Sequence, residues 1–397
     1  MMRTQGMAMA FAAALLACGC ESFELRPPPD RQIAADAELV FDPDRVAAIV
    51  ASLEAAAELE QKALRSGFQL LERAHLDGLD LWLLTFGMPK GMDAATGIRM
   101  LERLEVDVTA GAIHRYDRER PEERRLLANA QPRTFAGQLI GWPNQGCLAR
   151  HKVGMIDGEV DVAGGALRQQ DLVQRAFMET APSASARPHA TAIAELLAGA
   201  GRLSEVRLYS AAVVRTDPRA PDGASVTALI KALDWMVANE VPLINISLAG
   251  PYNKLLDRAV QRTLQRGAVL VAAVGNEGPQ APPRYPAAFP GVIAATAVDA
   301  AARVYSMAVQ GAHVDVAAPG VDVFVAGDGP GRYLSGTSIA APFVTARLAS
   351  DPRLGASSDP AEEALRLLAA DALDLGAAGR DPVFGLGLVQ ASASCAP

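Results

Sequence analysis

The chain has 397 residues, half of them hydrophobic and 21% charged, with a net charge of −8. That length and apolar content allow a large core in more than one average domain and set global disorder aside. The acidic balance argues against a nucleic-acid partner, because recognition of a polyphosphate backbone needs a basic surface.

Arg3 precedes an uncharged, mostly apolar run from Met7 to Ala17, followed by Cys18 and Cys20. A short positive region before an apolar stretch predicts an export signal, and the stretch is too short to span a bilayer as a helix. Leu15-Leu16-Ala17-Cys18 resembles the bacterial lipobox, which makes Cys18 a candidate for lipidation. Ordinary cleavage nearby and an uncleaved apolar end are the alternatives. Residues 1–18 therefore read as a signal and 19–43, which contain Arg-Pro-Pro-Pro-Asp, as a linker. The expected location is the bacterial envelope, lipid-anchored in the periplasm or outer membrane, with secretion as the alternative. Membrane contact is expected only through the lipid anchor.

From Asp44 to about Ser66 the apolar spacing predicts a helix, with Val46, Ile49, Val50 and Leu53 on one face. Two strand-like runs, 68–74 and 79–86, flank an Asp77-Gly78 turn. A helix over 92–104 and a strand-like run over 106–116 complete a small α+β unit spanning 44–116. Residues 117–136, charged and interrupted by Pro121, read as a partly helical connector.

The pattern changes over 137–397. Nearly continuous apolar runs at 152–157, 206–214, 242–248, 268–275, 291–298 and 314–320 alternate with helical patterns, among them 224–240 and 254–267. Strands this apolar are buried on both faces, so the prediction is a three-layer α/β domain, a parallel sheet with helices on both faces. Ligands in such sheets bind at the carboxyl ends of the strands.

Those ends carry a consistent chemistry. One apolar run ends in Asp157, another runs into Gly275 and Asn276, and a third into Ser247, Leu248, Ala249 and Gly250. His189 heads a helix of small residues, and Ser338 follows Gly336-Thr337 at the start of a helix that contains Pro342. Of the five histidines, only His189 occupies such a place; His75, His114, His151 and His313 read as structural or surface groups. A serine hydroxyl becomes a nucleophile when a histidine takes its proton, and a buried carboxylate fixes the histidine tautomer. An asparagine amide and a backbone N–H at a helix start supply donors for an oxyanion. Gly336 is expected to allow a sharp turn, Thr337 to accept a backbone hydrogen bond, and Pro342 to fall in the first helical turn, where it costs no donor. Ser338 read alone is equally an N-cap. A metal site at His189 and Glu195 is not expected, because no further ligand has the spacing for one.

These motifs carry a resemblance. "GTSIAAPFVTA", "VGMIDGEVD", "PHATAIAELLAG", "NISLAG" and "VAAVGNEGP" are similar to the signatures of the subtilisin-like serine proteases, the subtilase family S8. The resemblance covers about residues 137–392, and the unit before it resembles a subtilase pro-domain in pattern. It implies Asp157, His189 and Ser338 as a triad, Asn276 as oxyanion donor, and Ser247–Gly250, Gly275 and Gly223 as substrate-binding wall. It further implies protein or peptide substrates, no cofactor, an N-terminal unit acting as inhibitor or folding aid, and a cis Tyr285–Pro286 bond. Structural calcium is compatible with the resemblance but not indicated by the residues. Two positions depart from the family: Ala190 follows the histidine where glycine is usual, and Gly158-Glu159 replaces the usual hydroxyl residue and glycine after the aspartate. They motivate a rival reading, a catalytically degenerate binding protein of the envelope. An esterase ranks last, since no G-x-S-x-G elbow occurs.

Beyond Cys18 and Cys20 only Cys147 and Cys395 remain. Export permits a disulfide, and domain termini often lie close together. A bridge between them would contribute about 4–5 kcal/mol on the chain-entropy account; two unpaired thiols are the alternative.

Overall fold

The computed structural model describes residues 41–395, apart from 106, 119–120, 126–131, 163–166, 168–170, 179–183, 218–219 and 328–330. The signal region, Cys18, Cys20 and most of the linker lie outside the described residues.

An N-terminal unit comprises β1 (Arg45–Val50), α1 (Leu53–Arg65), β2 (Gln69–Leu76), β3 (Leu81–Gly87), α2 (Ala94–Leu104) and β4 (Thr109–Ala112). The sheet order is β2-β3-β1-β4. Residues 45–50 are thus a strand and not the start of the expected helix, which begins only at Leu53 behind the Ser52 cap. The reason is double burial. Val46, Ala48 and Val50 face the unit's own core, whereas Ala47 and Ile49 join the core of the larger body. Period-two alternation is invisible when both faces are apolar.

Among the described residues of 117–136, the expected partly helical connector is largely strand. They hold the end of β5 (Arg115–Arg118) and all of β6 (Glu122–Arg125), with only the short α3 (Ala136–Leu139) reaching beyond Ala136. After the two-residue β7 (Cys147–Leu148) comes β8 (Val153–Asp157), then β9 (Asp171–Ala176), α4 (Arg187–Ala198), β10 (Leu203–Ser204) and β11 (Arg207–Ala212). A hairpin of β12 (Val214–Asp217) and β13 (Ala220–Ser225) leads into α5 (Val226–Ala238). The chain continues through β14 (Leu243–Ile246), β15 (Leu248–Ala249), α6 (Lys254–Gln265), β16 (Val269–Ala273), β17 (Val292–Val298) and β18 (Val316–Pro319). It closes with β19 (Val323–Val325), β20 (Arg332–Ser335), α7 (Thr337–Ala349) and α8 (Pro360–Asp371).

The main sheet has seven strands in the order β18-β17-β16-β14-β8-β11-β9, paired parallel throughout. Five strands are wholly buried, as expected of a sheet covered on both faces. Helices α4 and α7 pack together as one layer, and α5 packs beside α6 as another. This is a three-layer α/β fold.

Helices α5 and α6 also carry the N-terminal unit. Asp234 accepts hydrogen bonds from Gly78 N (2.8 Å) and Leu79 N (3.1 Å), and Lys231 pairs with Glu72 at 2.5 Å. Arg258 Nη1 reaches Asp107 O (2.9 Å) and Thr109 Oγ1 (2.8 Å). Asn253 caps α6: its Oδ1 accepts from Leu255 N (2.9 Å) and Leu256 N (3.3 Å). Its amide nitrogen therefore faces Ala112 O and His114 Nδ1, both at 3.0 Å. A fixed donor opposite Nδ1 requires that nitrogen to accept, so His114 is held neutral, and burial lowers its pKa to about 4.

At the far end, Arg347 of α7 is fully buried. It pairs with Asp351 (2.8 Å) and Asp371 of α8 (2.6 Å) and donates to Gln390 O (2.9 Å). Burial alone would raise the Asp351 carboxyl, but hydrogen bonds from Arg353 and Arg347 outweigh it and hold the group well below the usual carboxylate range. Cys147 and Cys395 form a disulfide with Cα atoms 5.2 Å apart, joining positions 248 residues apart.

Two stability measurements follow. Arg347→Met strands Asp371 and the α8 contact and is expected to cost about 3 kcal/mol in denaturant unfolding; an unchanged midpoint refutes this. A histidine whose folded pKa is depressed contributes stability above its unfolded pKa that is lost as pH falls. Folding free energy should therefore decline from about pH 6.5 toward about pH 4. His114→Gln should flatten that slope, by up to about 1.4 kcal/mol per pH unit.

Candidate active site

The carboxyl ends of β8, β14 and β16 and the N-terminal turns of α4 and α7 converge on one point. Asp157, the last residue of β8, is fully buried, and its Oδ1 accepts a 2.6 Å hydrogen bond from Gly158 N. His189 lies in the first turn of α4, where Pro188 occupies an early position that needs no donor. Its Nδ1 is 3.1 Å from Asp157 Oδ1 and 3.0 Å from Oδ2, and its Nε2 is 3.1 Å from Ser338 Oγ. The three side chains are nearly closed to solvent, with exposures of 0%, 4% and 0% for Asp157, His189 and Ser338.

Asn276 completes the arrangement. Its Oδ1 accepts from Thr337 N (3.0 Å) and Thr337 Oγ1 (3.1 Å). The same hydroxyl accepts from Gly275 N at 3.2 Å. With Oδ1 occupied, Nδ2 is turned the other way, buried and without a hydrogen-bond partner. A methyl group on Gly336 would lie 3.2 Å from that Nδ2 and 3.5 Å from Ser338 Oγ. Gly336 thus keeps open the small space that both atoms face. Its φ of 164° is extended backbone, so the expected sharp turn is not what requires glycine here.

Pro342 is in the second turn of α7, not the first. It deprives the Ser338 carbonyl of its helical donor. Ser247 Oγ donates to that carbonyl instead (3.4 Å), and Asn245 Nδ2 donates to Ser247 Oγ (2.9 Å). Thr345 Oγ1 in turn lies 3.1 Å from Asn245 Oδ1. Ser247 therefore supports the turn that carries Ser338, while Leu248 and Ala249, the expected substrate wall, pair with β5. The roles of Asn245 and Thr345 are not apparent from sequence, because buried polar side chains inside apolar runs gain meaning only from what they face.

The wall is occupied by the chain itself. Strands β12, β13, β5 and β15 form an antiparallel sheet in that order. Within it Asp117 lies opposite both Gly223 and Ala249, and Arg118 opposite Leu248. Tyr116 is fully buried against Gly250, where a methyl would come within 2.4 Å of its ring. Pro121 Cα lies 3.6 Å from the methyl position on Gly336, and β6 continues antiparallel to β20. Arg115–Arg118 thus pairs with β13 and β15, and Glu122–Arg125 with β20, with Pro121 near Gly336 between them.

Gly250 and Tyr285 exchange two backbone hydrogen bonds of 2.9 Å, and the Tyr285–Pro286 peptide is cis. Among the described residues no group of three or more His, Cys, Asp or Glu could hold a metal ion, and no helix is long and apolar enough to cross a membrane. His151 is half-buried, with Nε2 3.0 Å from Asp351 O.

The description "Subtilase family" matches residues 169–387, more than half of the chain and inclusive of His189, Asn276 and Ser338. The chain belongs to the subtilase family. The minor extracellular protease Epr of Bacillus subtilis is 36% identical over 174 residues, 41% of this chain and 25% of that protein. The chain thus spans a quarter of Epr's length. Subtilisin of Bacillus pumilus is 30% identical over 206 residues, 49% of this chain and 73% of that protein. Among solved structures, fervidolysin of Fervidobacterium pennivorans, a keratinolytic enzyme related to subtilisin, superposes with a TM-score of 0.72 at 16% identity, over 90% of this chain and 62% of its own. The epidermin leader peptide processing serine protease of Staphylococcus aureus gives 0.66 at 14%, over 87% and 97%. At these identities the likeness is one of fold.

Of the two departures of this subtilase, Gly158 has a packing cause, and nothing in the structure explains Ala190. A methyl on Gly158 would come within 2.8 Å of Ala186 Cβ, so α4 approaches too closely for any side chain there. Ala190 is fully buried within α4 and touches none of the hydrogen bonds of the triad. Gly158→Ala is expected to lower the melting temperature by several degrees, and adding Ala186→Gly should recover most of the loss. Full stability of the single variant refutes the packing account.

Proposed function

We propose that this subtilase is a serine endopeptidase that hydrolyses peptide bonds through an acyl-enzyme. The observation that carries the reading is the unbroken line from Asp157 through His189 to Ser338, with the unpartnered Asn276 Nδ2 beside Ser338 Oγ. Ser338 Oγ attacks the carbonyl carbon while His189 Nε2 takes its proton. Asp157 holds Nδ1–H and supports the imidazolium. Asn276 Nδ2 and the Ser338 backbone N–H, at the positive end of α7, hold the oxyanion. His189 then protonates the leaving amine, and a water repeats the sequence to release the acid. Substrate is bound as an added strand between Leu248–Gly250 and Gly223.

The N-terminal unit serves as inhibitor and folding aid, and β5 in the cleft supports this. In this reading self-cleavage falls within residues 117–145. Export is supported by the Cys147–Cys395 bridge, since disulfides persist in oxidising compartments. Anchoring through lipidated Cys18 is retained as part of the proposal, with secretion as its alternative. A degenerate binding protein is not favoured, because Gly158 and Ala190 leave all four chemical groups in place.

A fluorophosphonate probe is expected to label Ser338 in the wild type and nothing in Ser338→Ala; an unlabelled but folded wild type defeats the proposal. Asn276→Ala should lower kcat by about 100- to 1,000-fold. N-terminal sequencing should find wild type, but not Ser338→Ala, cut within residues 117–145.

A further inference from the structure

We propose that Glu159 and Arg187 are a positioning pair: their ion pair holds His189 in line with Asp157, and the rate at which Ser338 reacts depends on it. The inference rests on the endopeptidase reading and adds two residues to it. Neither hydrogen-bonds to the triad itself; they act through the segments that carry it.

The start of α4 lacks the usual restraints. Its N-cap position is Ala186, which supplies no side-chain hydrogen bond, and its first turn contains no acid. The first N–H groups of a helix have no intrahelical acceptors, so an uncapped start is loose unless another element holds it. His189 stands in that turn. Its ring nitrogens lie 3.0 Å from Asp157 Oδ2 and 3.1 Å from Ser338 Oγ. A shift of about 1 Å in such a group costs on the order of 100-fold in rate.

What holds the turn is the stretch that follows Asp157. Residues 158–161 are docked one after another. Gly158 packs on Ala186, where a methyl would come within 2.8 Å of Ala186 Cβ. Glu159 Oε2 accepts from Arg187 Nε at 2.7 Å and lies 2.5 Å from Arg187 Nη2. Val160 is clamped by Gln174 of β9, which accepts from Val160 N at 2.7 Å and donates to Val160 O at 3.3 Å. Asp161 N donates to Thr191 Oγ1 at 2.9 Å. Gln174 is tied in turn to the fully buried Ser210, whose hydroxyl donates to it at 3.2 Å. The stretch is thus fastened to the sheet through residue 174 and to the start of α4 through residues 186, 187 and 191, on both sides of His189. From the Ser338 side, Arg332 of β20 donates to Pro188 O at 2.7 Å.

Among these contacts the Glu159–Arg187 pair is the one made between two side chains. Its placement is symmetrical: Glu159 lies two residues past Asp157, and Arg187 two before His189. Two N–H donors of one guanidinium on one carboxylate oxygen fix direction as well as distance. The pair also brings to the start of α4 the negative charge that the first turn of the helix lacks. Where the family usually has glycine at position 159, no such pair can form. As a stabiliser the pair is weak, because its side chains are 48% and 26% exposed and exposed ion pairs add little to global stability. Its loss should therefore be felt in rate and not in melting temperature.

The test uses the full-length chain, left to process itself, and follows a fluorophosphonate as it labels Ser338. The limiting labelling rate is separated from the probe concentration that gives half of it. Glu159→Gln and Arg187→Gln should each lower the limiting rate about 10-fold, with the half-saturating concentration unchanged and the melting temperature within about 2 °C of wild type. The double variant should be no slower than either single one, as expected of two residues that act as one unit. Single variants that label at the wild-type rate overturn the inference and leave the protease reading intact. So does a double variant slower by about 100-fold, which shows two independent effects, or a loss of rate that comes with a melting temperature lower by about 10 °C, which marks a structural role. A folded wild type that does not label overturns the inference and the protease reading together.

Discussion

The site depends on how the first turn of α7 is clamped. Thr337 holds Asn276 by two contacts on one oxygen, and Gly275 holds Thr337 in return. Because the amide oxygen is spent on the helix, the amide nitrogen has one direction left, toward the space beside Ser338. The same turn would be weakened by Pro342, which removes a donor from the Ser338 carbonyl, were it not for Ser247 beneath it. The nucleophile thus stands on a helix whose first turn is tied to the residues that follow two neighbouring strands, β14 and β16. Preorganisation of this kind means that charge developing on an oxyanion meets dipoles already in position.

The parts that were legible in sequence are those that local chemistry specifies. Continuous apolar runs announced the parallel sheet because strands buried on both faces have no polar positions to spare. Asp157, His189 and Asn276 are legible because each lies next to glycine, proline or a strand end that marks a terminus, whereas Asn245 and Thr345 sit inside apolar runs and are not. What escaped was set by long-range packing. The segment 45–50 looked helical because it lies between two cores and is apolar on both sides. Strand β6, Glu122–Arg125, is charged at all four positions and exposed, so only its partner β20 makes it a strand. Helix α8 is announced locally, by Asp359 at its cap and Pro360 in its first turn.

The glycines show why a motif departs from its family without losing its purpose. Gly158 is dictated by Ala186, a neighbour no local pattern reveals, and Gly336 by the volume needed beside the nucleophile and not by backbone conformation. The same reasoning applies to Gly250, which makes room for the ring of Tyr116. In each case the missing Cβ is a statement about another part of the chain.

The disulfide has a consequence for covalent connectivity. Both cysteines lie downstream of the strand that crosses the cleft, so the bridge closes a ring made only of the larger body. A single scission downstream of β5 would leave only non-covalent contacts, those on α5 and α6 and the pairing of β5 with β13 and β15, to retain the N-terminal piece. Anything attached near Cys18, a lipid included, would stay with that departing piece, and the released body would carry its own staple and no tether.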